Sequence, residues 1–202
     1  MDRLKNRDGE TDVELFGRMH IALNELEMCR ELARLIPEVR TNCVYARSHA
    51  QSPQDIVAVD GRITVVNGMP KAAGNFRFGA SSHLARFIIE LMKTEPQIRT
   101  AINFANSPAI TCWIDDYCLR NGWAIARIDR NNEPEHSKTE EGNSMAWKAR
   151  TAIRAAGGIV PTIICDAGGI GKEPVCIITG NEPVSTAKKL CGIARDWAQQ
   201  KA

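Results

Sequence analysis

The chain has 202 residues and 44% apolar content, which suits one globular domain with a sizeable core. Its formal charge of +2 is near neutral and argues against a nucleic-acid partner, which selects a strongly basic balance or stripe. No apolar run approaches the ~18 residues of a membrane span, and Met1-Asp-Arg-Leu-Lys-Asn-Arg-Asp8 lacks the apolar core of a signal peptide, so a cytoplasmic location without a membrane partner is expected.

Residues 1–10 are charged and read as a flexible lead into a single domain over 11–200. Thr11 and Glu14 have the capping-box spacing that satisfies orphan backbone donors at a helix start. Leu15, Met19, Ala22, Leu26, Cys29, Ala33 and Ile36 follow at alternating steps of four and three, so the spacing predicts one helix ended by Pro37. Residues 42–46, 55–59 and 62–66 read as short strands, and Asp60-Gly61 between the last two signals a hairpin. Residues 67–80 form a Gly-, Asn- and Ala-rich connection.

A helix is expected near Ser81 or Ser82, with Leu84, Phe87, Ile88 and Leu91 inward, and a short one over 95–103 with Pro96 in its first turn. Residues 109–120 read as a helix stopped at Asn121-Gly122, and 123–128 as a strand. The polar stretch 129–143 offers no residue fit for a core and is long for a loop, as functional loops often are. Helix 144–156, strand 161–165, a glycine loop at 167–172, strand 174–179 and helix 183–199 complete the chain. Interleaved helices and strands with a hairpin predict a mixed sheet with helices on its faces. Seven cysteines, at 29, 43, 112, 118, 165, 176 and 191, form no Cys-x-x-Cys pair and read as buried reduced thiols.

Four constellations could carry chemistry. Phe78-Gly-Ala-Ser-Ser-His-Leu-Ala-Arg86 runs small residues into a helix N-terminus, where free N–H groups and the dipole favour an anion. Gly79, Ser81 and Ser82 would supply donors, with His83 in the first turn and Arg86 on roughly the same face; an ordinary serine cap with a surface histidine is the plainer reading. In Asp166-Ala-Gly-Gly-Ile-Gly-Lys-Glu-Pro174, Gly169 and Gly171 would let backbone approach a ligand and Lys172 would neutralise phosphate. Its spacing is neither a P-loop nor a dinucleotide fingerprint, and a tight strand-to-strand turn fits as well. In the stretch Asp129 to Gly142, carboxylates such as Asp129, Glu133 and Glu141 could hold a magnesium ion that grips a diphosphate, or simply be solvated. Arg62, after Gly61, is a phosphate-binding candidate or a surface ion pair. The histidines at 20, 49, 83 and 136 show no zinc spacing, and nothing marks a serine or cysteine nucleophile.

Several blocks, ordered along the chain, carry a resemblance. They are Leu35-Ile-Pro-Glu-Val39, Asn42 to Ala46, Gly61-Arg62-Ile63, Phe78-Gly-Ala-Ser81 with His83, and Glu95-Pro-Gln-Ile-Arg99. Asp129-Arg130, Glu133-Pro134, Lys138, Glu141-Gly142, Trp147 and Gly169-Ile-Gly-Lys-Glu-Pro174 follow. From about residue 13 to 190 the chain resembles the ThiN-type thiamine-phosphate synthase domain, often fused behind a hydroxymethylpyrimidine phosphate kinase. The usual Gly-Ser-Asn of that family reads Arg40-Thr41-Asn42 here, Ser82 stands where a larger polar residue is common, and no glycine follows Trp147.

The resemblance implies a three-layer α/β/α sandwich around a mixed sheet, similar to class II (AraD-like) aldolases. It implies hydroxymethylpyrimidine diphosphate and hydroxyethylthiazole phosphate as substrates, Mg²⁺ as cofactor, and a homodimer by analogy. Arg62 and His83 match the family's functional arginine and histidine. Asn42, Gly79, Ser81, Ser82, Arg86, Lys138, Gly169, Gly171 and Lys172 are the expected substrate and phosphate contacts, and Asp129, Glu133 and Asp166 the expected Mg²⁺ ligands. Related domains also serve as thiamine-phosphate sensors behind a helix-turn-helix; only about a dozen residues precede the first expected helix here, which favours the synthase. A class II aldolase would need clustered metal-binding histidines, which the spacing lacks.

Overall fold

The computed structural model of the chain describes residues 10–135, 137 and 143–200. Helix α1 (Asp12–Met28) begins with the expected capping box: the Thr11 hydroxyl accepts from Glu14 N at 3.2 Å, and the Glu14 carboxylate accepts from Thr11 N at 2.7 Å. Leu15, Met19, Ala22 and Leu26 form its buried stripe. The helix does not continue to Pro37. Cys29 caps it, and a tighter 3₁₀ turn, Arg30–Leu35, takes over. At three residues per turn the inward positions become Leu32 and Leu35 in place of Ala33 and Ile36. Glu10, just ahead, is held by the Tyr45 hydroxyl at 3.1 Å and by Arg99. The rest of the segment expected to be flexible, residues 1–9, lies outside the described residues.

Among the described residues nine strands follow: β1 (Cys43–Ala46), β2 (Ile56–Val59), β3 (Ile63–Val66), β4 (Met69–Ala72), β5 (Phe76–Phe78), β6 (Thr100–Ala105), β7 (Ile125–Ile128), β8 (Ile163–Asp166) and β9 (Val175–Gly180). Seven form one mixed sheet in the order β5-β2-β1-β6-β9-β8-β7; only β7 and β8 run parallel, and every other neighbouring pair is antiparallel. Residue parity sorts the strands into two cores, as the period of two requires. Cys43, Tyr45, Val57, Val59, Ile102, Phe104, Ile163, Cys165, Cys176 and Ile178 face one core, shared with α1, α3 (Pro108–Asn121) and α5 (Pro183–Gln199). Val44, Ala46, Ile56, Ala58, Ala101, Ile164 and Ile177 face the other, shared with α2 (Ser82–Met92) and α4 (Asn143–Ala155).

Three expectations are corrected. Asp60-Gly61 does not join β2 to β3 in a hairpin: β2 pairs with β1 and β5, and the turn carries the chain out of the large sheet. The hairpin is β3–β4, whose two-residue turn is Asn67-Gly68 with φ of 51° and 76°. That pair has the positive φ values a primed hairpin turn demands. Residues 67–80 accordingly contain two strands, β4 and β5. The short helix over 95–103 is absent, because Glu95–Arg99 turns the chain off α2 and Thr100–Ala105 is a strand buried at the centre of the sheet. Six cysteines are buried and free, as expected, whereas Cys112 is exposed. No described helix is long and apolar enough to cross a membrane.

Antiparallel alternation brings the ends of β2, β6, β7 and β8 and the beginnings of β1 and β9 to one edge of the sheet. Helices α2 and α4 pack against each other on the second face, and residues of their first turns open onto that same edge. Two helix N-termini therefore face one region, each a source of positive potential.

Candidate active site

A cavity of about 510 Å³ lies at this edge. From the end of β2 to the end of β7 the edge crosses five strand spacings, roughly 24 Å. Six cationic side chains line the cavity: Arg40, Arg62, Arg86, Arg130, Lys148 and Lys172. Among the described residues two carboxylates do, Asp166 and Glu173, and both are already engaged. The excess of positive charge selects anionic ligands, and the partly enclosed setting strengthens that preference.

At the β7–β8 end lies a buried charge network. Asp166, on the last residue of β8, accepts from Arg130 Nε at 2.9 and 3.1 Å and from Arg130 Nη2 at 2.7 Å. Lys148, which is 2% exposed on α4, sits 2.8 Å from the same carboxylate. Burial pushes the Asp166 carboxyl up, but the Lys148 ammonium and Arg130 guanidinium outweigh it and hold the group below the usual range. Burial dominates at Lys148 and lowers its pKa despite Asp166. Arg130 also donates to Glu133 Oε2 at 3.0 Å and to the Ser144 hydroxyl at 2.9 Å. Lys172 reaches the same two acceptors, at 2.9 and 3.2 Å.

The glycine loop beyond β8 is chiefly a turn. Gly169 and Lys172 exchange backbone hydrogen bonds, each at 2.9 Å, and the Gly168 N–H bonds Asp166 Oδ1 at 2.9 Å. Gly168 has φ +75°, and a Cβ there would stand 2.6 Å from Lys172 O. Of the loop's predicted contacts, Gly171 and Lys172 line the cavity and Gly169 packs on Arg130 instead.

At the β2–β1 end, Ser81 is the N-cap of α2 yet makes no side-chain capping bond, and it lines the cavity with Ser82, His83 and Arg86. Gly79 does not line it. Its N–H bonds Ile56 O at 3.0 Å, and its φ of +73° beside the Gln54 side chain makes it a structural glycine. Asn42 lines the cavity, but its amide is bonded to Val59 N and O at 3.2 Å, extending the β1–β2 ladder. Arg62 enters from the turn after β2 and donates to Val39 O at 2.6 Å.

The three carboxylates expected to hold Mg²⁺ do not converge. Both oxygens of Asp166 receive cationic donors, Asp129 caps the short turn after β7 by accepting from Asn131 N at 2.9 Å, and Glu133 is claimed by Arg130 and Lys172. Glu133 Oε1 is a single buried oxygen without a hydrogen-bond partner among the described residues, well short of the several oxygens a magnesium ion needs. Among the described residues no group of three His, Cys, Asp or Glu side chains is placed to hold a metal. The carboxylate set therefore does not fit a protein-held magnesium ion. Lys138 and Glu141 lie outside the described residues.

Arg40, Asn103, Arg130, Ser144 and Lys148 also line the cavity and are not among the site residues expected from the sequence, although Arg130 stands in one of the blocks that carry the resemblance. Arg130 carried a usable signal: it lies two residues past the expected strand 123–128, and ligands gather beyond the carboxyl ends of parallel strands, of which β7 proves to be one. Lys148 carried none, since a lysine in an amphipathic helix reads as exposed.

Comparison with known proteins places this geometry. The family model for thiamine-phosphate synthase ThiN matches residues 18–192. The thiamine-phosphate synthase ThiN of Methanothermobacter thermautotrophicus is 37% identical over 89% of this chain and 92% of that protein. The bifunctional thiamine biosynthesis protein ThiDN of Methanocaldococcus jannaschii is 32% identical over 77% of this chain, which matches 35% of that longer protein. The crystal structure of the C-terminal domain of a phosphomethylpyrimidine kinase superposes with a TM-score of 0.77 at 36% identity, covering 87% of this chain and 99% of that one. With a family model spanning most of its length and a relative this similar end to end, the chain belongs to the thiamine-phosphate synthase ThiN family.

Proposed function

We infer that this chain is a thiamine-phosphate synthase, joining hydroxymethylpyrimidine diphosphate to hydroxyethylthiazole phosphate with release of pyrophosphate. The observation that carries this reading is the cavity where, among the described residues, six cations stand against two engaged carboxylates, stretched along the sheet edge between two helix N-termini. Two phosphorylated substrates need two separated anion anchors. The cavity offers one around Arg62, Ser81, Ser82, His83 and Arg86, and another around Arg130, Ser144 and Lys172.

The reaction breaks the bond between the pyrimidine methylene carbon and the diphosphate oxygen. The electron pair leaves on pyrophosphate, and the thiazole nitrogen supplies the pair for the new carbon–nitrogen bond. Catalysis is then a matter of positioning and of stabilising the departing anion. Arg62 offers a guanidinium fork suited to phosphate oxygens, and His83 stands on the same helix entrance to donate to them. The Asp166–Lys148–Arg130 network fixes the opposite wall. The Mg²⁺ that the resemblance implies finds no carboxylate set among the described residues, and charge neutralisation by the chain itself is assigned to the arginines and lysines of the cavity.

We read the architecture as a three-layer α/β/α sandwich, because α1, α3 and α5 cover one sheet face and α2 and α4 the other. The contact of α1 with α5, from opposite ends of the chain, supports one domain over 11–200. Free thiols at all seven cysteines suit a reducing cytoplasm. The test is direct: incubate the protein with both substrates and Mg²⁺ and follow thiamine phosphate by mass spectrometry and pyrophosphate release. Tight binding of thiamine phosphate without any formation of it would refute the assignment.

A further inference from the structure

Arg40 and Arg62 share several features, each closing a backbone turn, from Pro37 O and Val59 O respectively. Among the described residues only four non-glycine positions have positive φ; two of them are Arg40 at 66° and Arg62 at 69°. That backbone region is sterically costly for any side chain with a Cβ, and such strain gathers where function requires it. Both residues line the large cavity, and both line a second, smaller cavity that adjoins it.

The Arg40 backbone is held on both sides. Its N–H bonds Pro37 O at 2.8 Å, and its carbonyl accepts from the Asn103 side chain at 2.9 Å. The preceding residues are pinned as well, since the Glu173 carboxylate accepts from Glu38 N and Val39 N, each at 2.8 Å. The two arginines then cross. Arg40 Nη1 donates to Gly61 O at 3.2 Å, and Arg62 Nη1 donates to Val39 O at 2.6 Å. Each guanidinium is thus oriented by the other's loop through one nitrogen, and among the described residues neither forms an ion pair with a carboxylate. Glu38 is the one acidic residue that lines the smaller cavity with these two arginines among the described residues, so the pair keeps a net positive charge that favours a multiply charged anion.

We propose that Arg40 is a substrate-binding residue that forms, with Arg62, a two-arginine clamp on a substrate phosphate at the cavity mouth. The inference rests on the synthase reading for the identity of the substrate, but not for the chemistry of the anion. A guanidinium fork recognises phosphate oxygens two at a time, and two forks converging on one group resist its escape better than either alone.

The test uses Arg40→Gly, because glycine adopts positive φ without strain and removes only the side chain. Inorganic pyrophosphate is the calorimetric probe, with KM and kcat for both substrates measured alongside. Arg40→Gly should weaken pyrophosphate binding by about 10- to 100-fold, the loss expected for a charge-assisted contact, and raise KM for a phosphorylated substrate, while the melting temperature stays near wild type. Arg40→Lys, which keeps charge but not the fork, should fall between. Wild-type affinity in Arg40→Gly overturns the clamp. So does a loss of affinity in both variants that tracks a large fall in melting temperature, which would make Arg40 a loop staple. A wild-type protein that binds pyrophosphate through Arg40 yet forms no thiamine phosphate leaves the clamp standing and removes the synthase reading instead.

Discussion

Asp166→Asn should damage the fold as well as the site, and by a calculable amount. Asp166 is 1% exposed and neutralises two cations, Arg130 and Lys148, the latter 2% exposed. Asparagine keeps the shape and loses the charge, leaving the Lys148 ammonium buried without a counter-ion. Removing one partner of a buried pair costs about 3–5 kcal/mol. The escape route gives a similar ceiling: deprotonating a lysine of ordinary pKa ~10.4 at pH 7 costs roughly 4.6 kcal/mol, at 1.36 kcal/mol per pH unit. For a chain of this length about 2–4 °C accompany each kcal/mol, so the melting temperature should fall by about 6–20 °C. Lys148→Met placed on top of Asp166→Asn removes the orphaned charge and should recover part of that loss; thermal and urea denaturation of the two singles and the double give the coupling. The sign with pH is fixed too. In Asp166→Asn the unfolded state binds the Lys148 proton more tightly than the folded state does, so the variant should gain stability relative to wild type as pH rises from 7 towards 10. A melting temperature within about 2 °C of wild type, or a double variant no better than the single, would refute the argument.

Arg62→Ala and His83→Ala should each lower the single-turnover rate by about 30- to 1,000-fold, equivalent to ~2–4 kcal/mol, and weaken thiamine phosphate binding less, because the product has already released its diphosphate; equal losses in rate and product affinity would show that both act in ground-state binding. Lys172→Ala, at a side chain 38% exposed, should reduce kcat/KM with little change in melting temperature, and unchanged kinetics would make the glycine loop a turn and nothing more. Against the opposing effect of burial, the carboxyls of Asp166 and Glu133 are held below their usual range by their partners, Lys148 and Arg130 at Asp166, and the Ser144 hydroxyl, Lys172 and Arg130 at Glu133. Their stabilisation is complete above an unfolded carboxylate pKa of ~4 and disappears as pH falls through the lower folded values, so melting temperature should drop steeply below about pH 4; a flat profile from pH 7 to 3 would contradict this.

Elements whose signals are local were legible from the residues alone. Thr11 with Glu14 marked the start of α1, Asn121-Gly122 marked the end of α3 through the left-handed φ of Gly122, and Pro183 opened α5 where expected. These signals act within about one helical turn, so neighbouring residues are enough to read them. The ordered blocks from Leu35 to Pro174 also carried the family. What tertiary structure alone decided is partnership. Asp60-Gly61 is a legitimate turn signal, yet it could not say that β2 would pair with β1 and β5 while β3 turned away to pair with β4. Thr100–Ala105 is a short apolar run that suits helix or strand equally, and its place at the centre of the sheet made it a strand. Arg130, Lys148 and Asp166 stand on three different elements and become one network only because β7 and β8 run side by side beneath α4. Charge pairing across such separations leaves no periodicity for a sequence to show. The same holds for Arg40: the turn from Pro37 is local, but the Asn103 side chain that holds its carbonyl and the Glu173 carboxylate that pins the two preceding residues come from distant parts of the chain.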